Sequence, residues 1–259
     1  MDARPDKQEF MKLARNFEVV PLVQELTSDT VTPFTVYSRL AVNGRNPFLL
    51  ESVEGGERAA RYSFVGADPF RIVELRGRTV LVDGAPRSGA PIEELRRATD
   101  FGAVAPVEGL PPFAGGAMGY LGYDAVRLIE AIPESGRDEG GLPEAWFGLY
   151  DGVVALDRAR QRLVLVVAAR VAGDPESAWS LAQTRLAAMH RALLGGGASP
   201  RPHIIPSPEG GWDGWNATPP EDEYKASVSK AREHILAGDI FQVVLSRRWR
   251  KMPRCTASE

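Results

Sequence analysis

Phe48-Leu49-Leu50-Glu51-Ser52-Val53-Glu54-Gly55-Gly56-Glu57-Arg58-Ala59-Ala60-Arg61-Tyr62-Ser63-Phe64-Val65-Gly66 is the stretch on which the reading of this chain turns. An apolar, strand-like run ends in a carboxylate and a hydroxyl, Glu51 and Ser52. A Gly55-Gly56 loop follows, and Arg61 then leads into a second strand-like run. Two such runs around a glycine loop read as neighbouring sheet strands. Their ends carry an acceptor, a donor-acceptor and a cation. That set can hold a zwitterion, because Glu51 can take an ammonium while Arg61 takes a carboxylate. The plainer reading of the same residues is two sheet strands with solvated ends. Taken alone, the stretch leaves both readings open.

Working outward, residues 6–15 read as a short helix, with Asp6 and Glu9 at capping-box spacing and Phe10, Leu13 and Ala14 on one face. Phe17 to Val23 reads as a strand. Thr32-Pro33 is a helix start with an apolar stripe of Phe34, Tyr37, Leu40 and Ala41. Phe48 to Val82 divides into four short strands, punctuated at Gly55-Gly56, Ala67-Asp68-Pro69 and Gly77 and ended by Asp83-Gly84. A hairpin is expected from Trp146 to Ala169, turning in Asp157-Arg158-Ala159-Arg160. Asp174-Pro175 opens a long helix whose inner stripe is Ala178, Ala182, Leu186, Met189 and Leu193.

Residues 195–218 are rich in Gly, Pro and Ser without a period, and read as a linker. Thr218-Pro219 then starts a helix with Tyr224, Val228, Ala231 and Ile235 inward and Gly238 as its stop. A strand, Ile240 to Leu245, is expected next. The fold expected is α+β, with mainly antiparallel sheets and packed helices. Residues 1–194 read as one domain, 195–218 as a linker, and 219–259 as the first helix and strand of a second α+β domain. One helix and one strand cannot enclose a core, so the chain is read as a piece of a longer protein.

Composition narrows the function classes. With 259 residues, 44% of them hydrophobic, the chain can bury a sizeable core. A net charge of −3 gives no electrostatic reason to expect nucleic acid or an anionic membrane surface. The single cysteine, Cys255, excludes an intramolecular disulfide and fits a reducing compartment. The longest strongly apolar run, Leu163 to Ala169, falls far short of the roughly 20 residues a membrane span needs. The first residues carry no apolar core for a secretory signal. A cytoplasmic protein is expected.

Other residues invite chemistry and have plainer roles beside it. Gly115, Gly116, Gly119 and Gly122 match neither a dinucleotide fingerprint nor a phosphate loop. Close backbone packing, with Tyr120 and Tyr123 filling the adjacent volume, explains them better. Asp124 reads as a cap or turn acceptor. His190, His203 and His234 are widely separated, and no cluster has zinc-ligand spacing. Glu221-Asp222-Glu223 suits the dipole of a helix first turn, and Glu54 and Glu57 read as exposed loop flanks. Gln242, amid Ile240 to Leu245, would be a buried amide ordering a sheet.

The opening stretch resembles the tryptophan-binding segment of anthranilate synthase component I. Three further stretches share the resemblance in the same order: Pro111-Pro112-Phe113-Ala114-Gly115-Gly116-Ala117-Met118-Gly119-Tyr120-Leu121-Gly122-Tyr123-Asp124, Phe147-Gly148-Leu149-Tyr150-Asp151, and Gly238-Asp239-Ile240-Phe241-Gln242-Val243-Val244-Leu245-Ser246. Coverage runs from about residue 10 to residue 249, and the tail from Trp249 departs from the family. The resemblance implies an aminase that converts chorismate and ammonia to anthranilate and pyruvate, with Mg2+ as cofactor. It implies ammonia from a glutamine amidotransferase subunit and feedback inhibition by L-tryptophan, with residues 1–194 as the regulatory, tryptophan-binding domain and Glu51, Ser52 and Arg61 as ligand-binding residues. The family's magnesium ligands and acid-base residues lie in its second half, so no catalytic residue is assigned here, and the chain alone is expected to be inactive. The alternatives are the large component of aminodeoxychorismate synthase and a non-catalytic amino-acid-binding module.

Overall fold

The computed structural model describes residues 3–28, 31–51, 61–133, 141–195 and 214–252. The chain divides into two compact units, 1–200 and 201–259.

The first unit holds two five-stranded sheets. One runs in the order β1 (Val19–Thr27), β10 (Arg162–Arg170), β9 (Gly152–Asp157), β3 (Tyr62–Gly66), β2 (Phe48–Glu51). The other runs β6 (Ala85–Arg87), β5 (Thr79–Val82), β4 (Arg71–Arg76), β8 (Ala145–Tyr150), β7 (Gly116–Leu121). All their pairings are antiparallel. With the helices packed on them this is the expected α+β architecture. The four strands read between Phe48 and Val82 are present, and the chain adds β6 after Asp83-Gly84. Asp83 and Gly84 both take positive φ, so what was read as a stop is the turn of a further hairpin.

The two sheets share one bent ribbon. In the first sheet β3 pairs with β9 as far as Gly66 opposite Val153. In the second, β4 pairs with β8 from Arg71 opposite Leu149. The chain crosses between sheets at residues 67–70 and again at the single residue Asp151. The expected hairpin from Trp146 to Ala169 therefore belongs to both sheets, and only β9–β10 is the hairpin proper. Arg185 fastens the two crossings, since Nη2 lies 2.8 Å from the Asp151 carboxylate and donates to the Asp68 carbonyl at 3.0 Å. Burial pushes the Asp151 carboxyl up, and Arg185 and Arg170 oppose it.

Three helices cover one face of the first sheet. They are α1 (Lys7–Leu13), α2 (Pro33–Ala41) and α4 (Pro175–Leu194), and between them and the sheet lie Phe10, Val20, Leu22, Val36, Val65, Leu165 and Leu186. Their starts follow the sequence signals. Asp6 accepts from the Glu9 N–H at 2.9 Å, Thr32 from Thr35 at 3.1 Å, and Asp174 from Ser177 at 3.0 Å. The inner stripe of α4 is as read, with Ala182, Leu186 and Leu193 buried and Ala178 and Met189 packed beside them. In α2 the buried residue is Val36, outside the stripe the sequence suggested. The opposite face of the sheet buries Val23, Ala155, Val164 and Val166. Helix α3 (Pro91–Ala98) closes the second sheet over Val73, Leu75, Val80, Ala145 and Leu149.

The second unit is helix α5 (Glu221–Ala237) with a short pair, β11 (Asn216–Thr218) and β12 (Arg248–Arg250). Gly238 stops α5 with φ 82°, and its N–H bonds back to the Ile235 carbonyl at 3.1 Å. The Glu221-Asp222-Glu223 run occupies the first turn as read. Three expectations are corrected here. The helix begins at Glu221 rather than at Thr218-Pro219, because Thr218 pairs with Arg248 in β11–β12. Residues Ile240 to Leu245 form no strand, since no described backbone pairs with them, and the strand that forms is Arg248–Arg250. Gln242 is accordingly exposed, not a buried amide. Of the inner face read for α5, Tyr224 and Ala231 are half-buried, whereas Val228 and Ile235 are exposed. Residues 196–213 of the expected linker lie outside the described residues.

Candidate ligand site at one end of the first sheet

Glu51 closes β2, the edge strand, and its cross-strand partner is Ser63. Directly opposed residues of an antiparallel pair project to one face, so carboxylate and hydroxyl stand together. The turn after β9 supplies the third member. Arg158 Nη2 donates to Glu51 Oε1 and, at 3.3 Å, to Ser63 Oγ. Ser63 is fully buried, while the Glu51 and Arg158 side chains are 35% and 43% exposed, so the pair is open to an incoming ligand.

Arg61 stands at the same end of the sheet and is held differently. Nε donates to Asp157 Oδ1 at 2.8 Å and Nη2 to Oδ2 at 2.6 Å, a bidentate fork. The Asp157 side chain is fully buried. The Arg61 hydrogen bond is the main reason its carboxyl sits below the usual carboxylate range, and the same bond raises Arg61. The guanidinium also lies 4.8 Å over the Tyr62 ring. Beyond Asp157 the charges alternate across the sheet. Arg162 Nε is 3.5 Å from Asp157, Arg162 Nη1 reaches Glu25, and Glu25 also accepts from Arg4. Burial pushes the Glu25 carboxyl up, but Arg162 and Arg4 outweigh it and hold it low.

Of the three residues singled out in the sequence, Glu51 and Arg61 thus come to one end of one sheet, each already paired, and Ser52 lies outside the described residues. The Asp157-Arg158 turn joins them. Its side chains take Arg61 and Glu51 in turn, and the Arg158 N–H donates to the Arg61 carbonyl at 3.0 Å. The sequence reading treated Asp157 to Arg160 as a turn only. Two opposite charges at a hairpin tip were the available signal, but nothing local fixes which strand end they face.

The glycine-rich and Phe147-to-Asp151 segments build the frame. A Cβ on Gly119 would sit 1.9 Å from the Trp146 carbonyl, and one on Gly148 would sit 2.8 Å from the Tyr150 ring. Tyr150 is buried, meets Phe48 edge-on at 4.7 Å and donates to the Asn46 carbonyl at 2.6 Å, which anchors the chain ahead of β2. Burial, with a smaller contribution from Asp68, pushes its hydroxyl up to about 12. Tyr120 and Tyr123 do not fill volume beside the glycines, as they are 42% and 92% exposed. Asp124 sits in the first turn of a 3-10 helix, Tyr123–Leu128, paired with Arg127 at 3.1 Å. Asp6, Lys7, Trp179, Gln183 and His190 line a cleft of about 380 Å³ beside α4. His234 bonds Asp239 at 2.9 Å, and His203, Glu54 and Glu57 lie outside the described residues.

Among the described residues no three His, Cys, Asp or Glu side chains converge into a metal site. The carboxylates that do gather, Asp157 and Glu25, are already occupied by arginines. These residues do not fit a magnesium ion, and no step is routed through one. Likewise, no described helix is long and apolar enough to cross a membrane.

Two antiparallel sheets on a shared ribbon, with an ionic site at one sheet end, define a class that comparison with known proteins identifies. The chain belongs to the chorismate binding enzyme family, whose model matches residues 45–253. Among its relatives is anthranilate synthase component 1 of Streptomyces coelicolor, 39% identical over 249 residues, covering 94% of this chain and 46% of the relative. The Acetivibrio thermocellus protein of the same name is 34% identical, covering 94% of this chain and 51% of its own. The crystal structure of anthranilate synthase component I from Streptococcus pneumoniae superposes with a TM-score of 0.55 at 20% identity, covering 86% of this chain and 48% of that one. The chain spans about half the length of the curated relatives it matches.

Proposed function

We propose that the protein carrying this chain is the chorismate-aminating component of a cytoplasmic anthranilate-forming enzyme, inhibited by tryptophan. The observation that carries the reading is similarity over nearly the whole chain to proteins named anthranilate synthase component 1, at 39% and 34% identity. In this reading the enzyme adds ammonia to the chorismate ring with loss of a hydroxyl, then eliminates pyruvate. A glutamine amidotransferase subunit supplies the ammonia. Magnesium, the cofactor this reading implies, would be held by residues other than those described and would supply charge neutralisation for the dianionic substrate.

The first unit of the chain takes the regulatory part. Glu51 accepts the ammonium of L-tryptophan, Ser52 adds a hydroxyl, and Arg61 belongs to the same wall. An inhibitor acts at a distance only through different affinities for two states of the protein, so these residues set the inhibition midpoint. Residues 1–259 alone are expected to leave chorismate unchanged, because among the described residues helix α5 buries none of its side chains and its unit offers one short strand pair.

The test is to supply the intact protein with chorismate, magnesium and ammonium and to follow anthranilate by its fluorescence. Anthranilate release supports the reading. Accumulation of aminodeoxychorismate would move the protein to the folate-pathway sibling, and no consumption of chorismate would overturn the proposal.

A further inference from the structure

We propose that Arg158, rather than Arg61, reads the carboxylate of the bound amino acid, and that it occupies the ammonium position on Glu51 until the ligand arrives. The proposal rests on the tryptophan reading of this sheet end.

Its starting point is the difference between the two arginines. Arg61 is committed to Asp157 through two hydrogen bonds of 2.8 and 2.6 Å, and the Asp157 side chain has no exposed surface. Turning that guanidinium toward a ligand would leave a buried carboxylate with only Arg162, at 3.5 Å, and the Arg160 N–H, at 3.3 Å. Stranding a buried charge is strongly unfavourable. Among the described residues Arg158 has no such commitment. Its partners are the half-exposed carboxylate of Glu51 and the hydroxyl of Ser63.

A zwitterion can enter that pair without leaving a charge uncompensated. The ligand ammonium takes the place of the guanidinium on Glu51, and the freed guanidinium closes on the ligand carboxylate. One ion pair becomes two, and the net charge of the site is unchanged. Ser63 Oγ, 3.3 Å from Arg158 Nη2 in the free protein, lies on the same face as Glu51 and can accept from the ammonium. Arg158 is well placed for both states, because its backbone is fixed by the N–H bond to the Arg61 carbonyl at 3.0 Å while its side chain is 43% exposed.

The experiment is calorimetric titration of the intact protein with L-tryptophan, with tryptamine, which lacks the carboxylate, and with indole-3-propionate, which lacks the ammonium. Wild type should bind tryptophan at least about tenfold more tightly than tryptamine, as a charge-assisted bond requires. Arg158→Gln should shrink that preference to within about twofold and leave discrimination against indole-3-propionate intact. Arg158→Lys keeps the charge and should recover part of the preference. Arg61→Gln should retain it. Full preference in Arg158→Gln, or its loss in Arg61→Gln alone, overturns the assignment. A wild-type protein that binds all three alike, or none, overturns the tryptophan reading itself.

Discussion

Asp157 shows how one carboxylate can fix the state of several neighbours. It is buried at the tip of β9 and drawn on by Arg61, Arg162 and the Arg160 N–H. Its pKa is lowered from 3.8, with the Arg61 hydrogen bond as the largest cause. A carboxyl with a folded pKa below its unfolded one adds stability that is present above the unfolded value and lost as pH falls through the folded one. Asp157→Asn should therefore be less stable than wild type at neutral pH. The difference between the two should narrow as pH falls below about 3.8, where the unfolded chain's carboxyl takes up a proton before the folded one does, and should vanish once pH has passed the lowered folded pKa. Denaturant titrations at several pH values will show this. A constant gap would mean that the ion pair contributes nothing specific. At the same scale, Ser52→Ala removes one polar partner of the proposed ligand. It should weaken tryptophan inhibition several-fold, about 1 kcal/mol, measured as the midpoint relative to that variant's uninhibited rate.

Among the elements, the β7–β8 pairing and the Arg185 clamp are the points where a single change should propagate. Gly119→Ala drives a methyl into the Trp146 carbonyl, so β7 must lift from β8, at a cost of roughly 1–3 kcal/mol in unfolding experiments. Arg185→Ala frees both sheet crossings and strands the Asp151 carboxylate, and should cost roughly 2–3 kcal/mol. Much of this level was legible in the sequence, because caps and period act locally. Asp6, Thr32 and Asp174 each cap the helix they announced, and the stripe of α4 faces the sheet. What failed depended on distant partners. Ile240 to Leu245 has a strand's composition but pairs with no strand among the described residues, and β6 arose where a turn looked like an end. The candidate site divides the same way. Glu51 and Arg61 could be singled out from their strand ends, but Arg158 and Asp157 reach them across 107 and 96 residues of chain.

For the whole molecule, the separation of cores decides what folds. Among the described residues the three apolar clusters are built from residues no later than Leu193, so a chain of residues 1–195 should unfold cooperatively with nearly the thermal midpoint of the 259-residue chain. Loss of cooperativity on this truncation, followed by calorimetry, would show that the first unit depends on the second. The first unit also bears the proposed inhibitor site, and the proposed function therefore places regulation and chorismate chemistry in different parts of the sequence. The most direct test of that division is the rate of anthranilate formation by the intact protein against L-tryptophan concentration, for wild type and Glu51→Gln, each scaled to its own uninhibited rate. The account predicts inhibition of wild type, and a midpoint raised roughly tenfold or more in Glu51→Gln, where the ammonium loses a charged acceptor. An identical midpoint in the two proteins would contradict it.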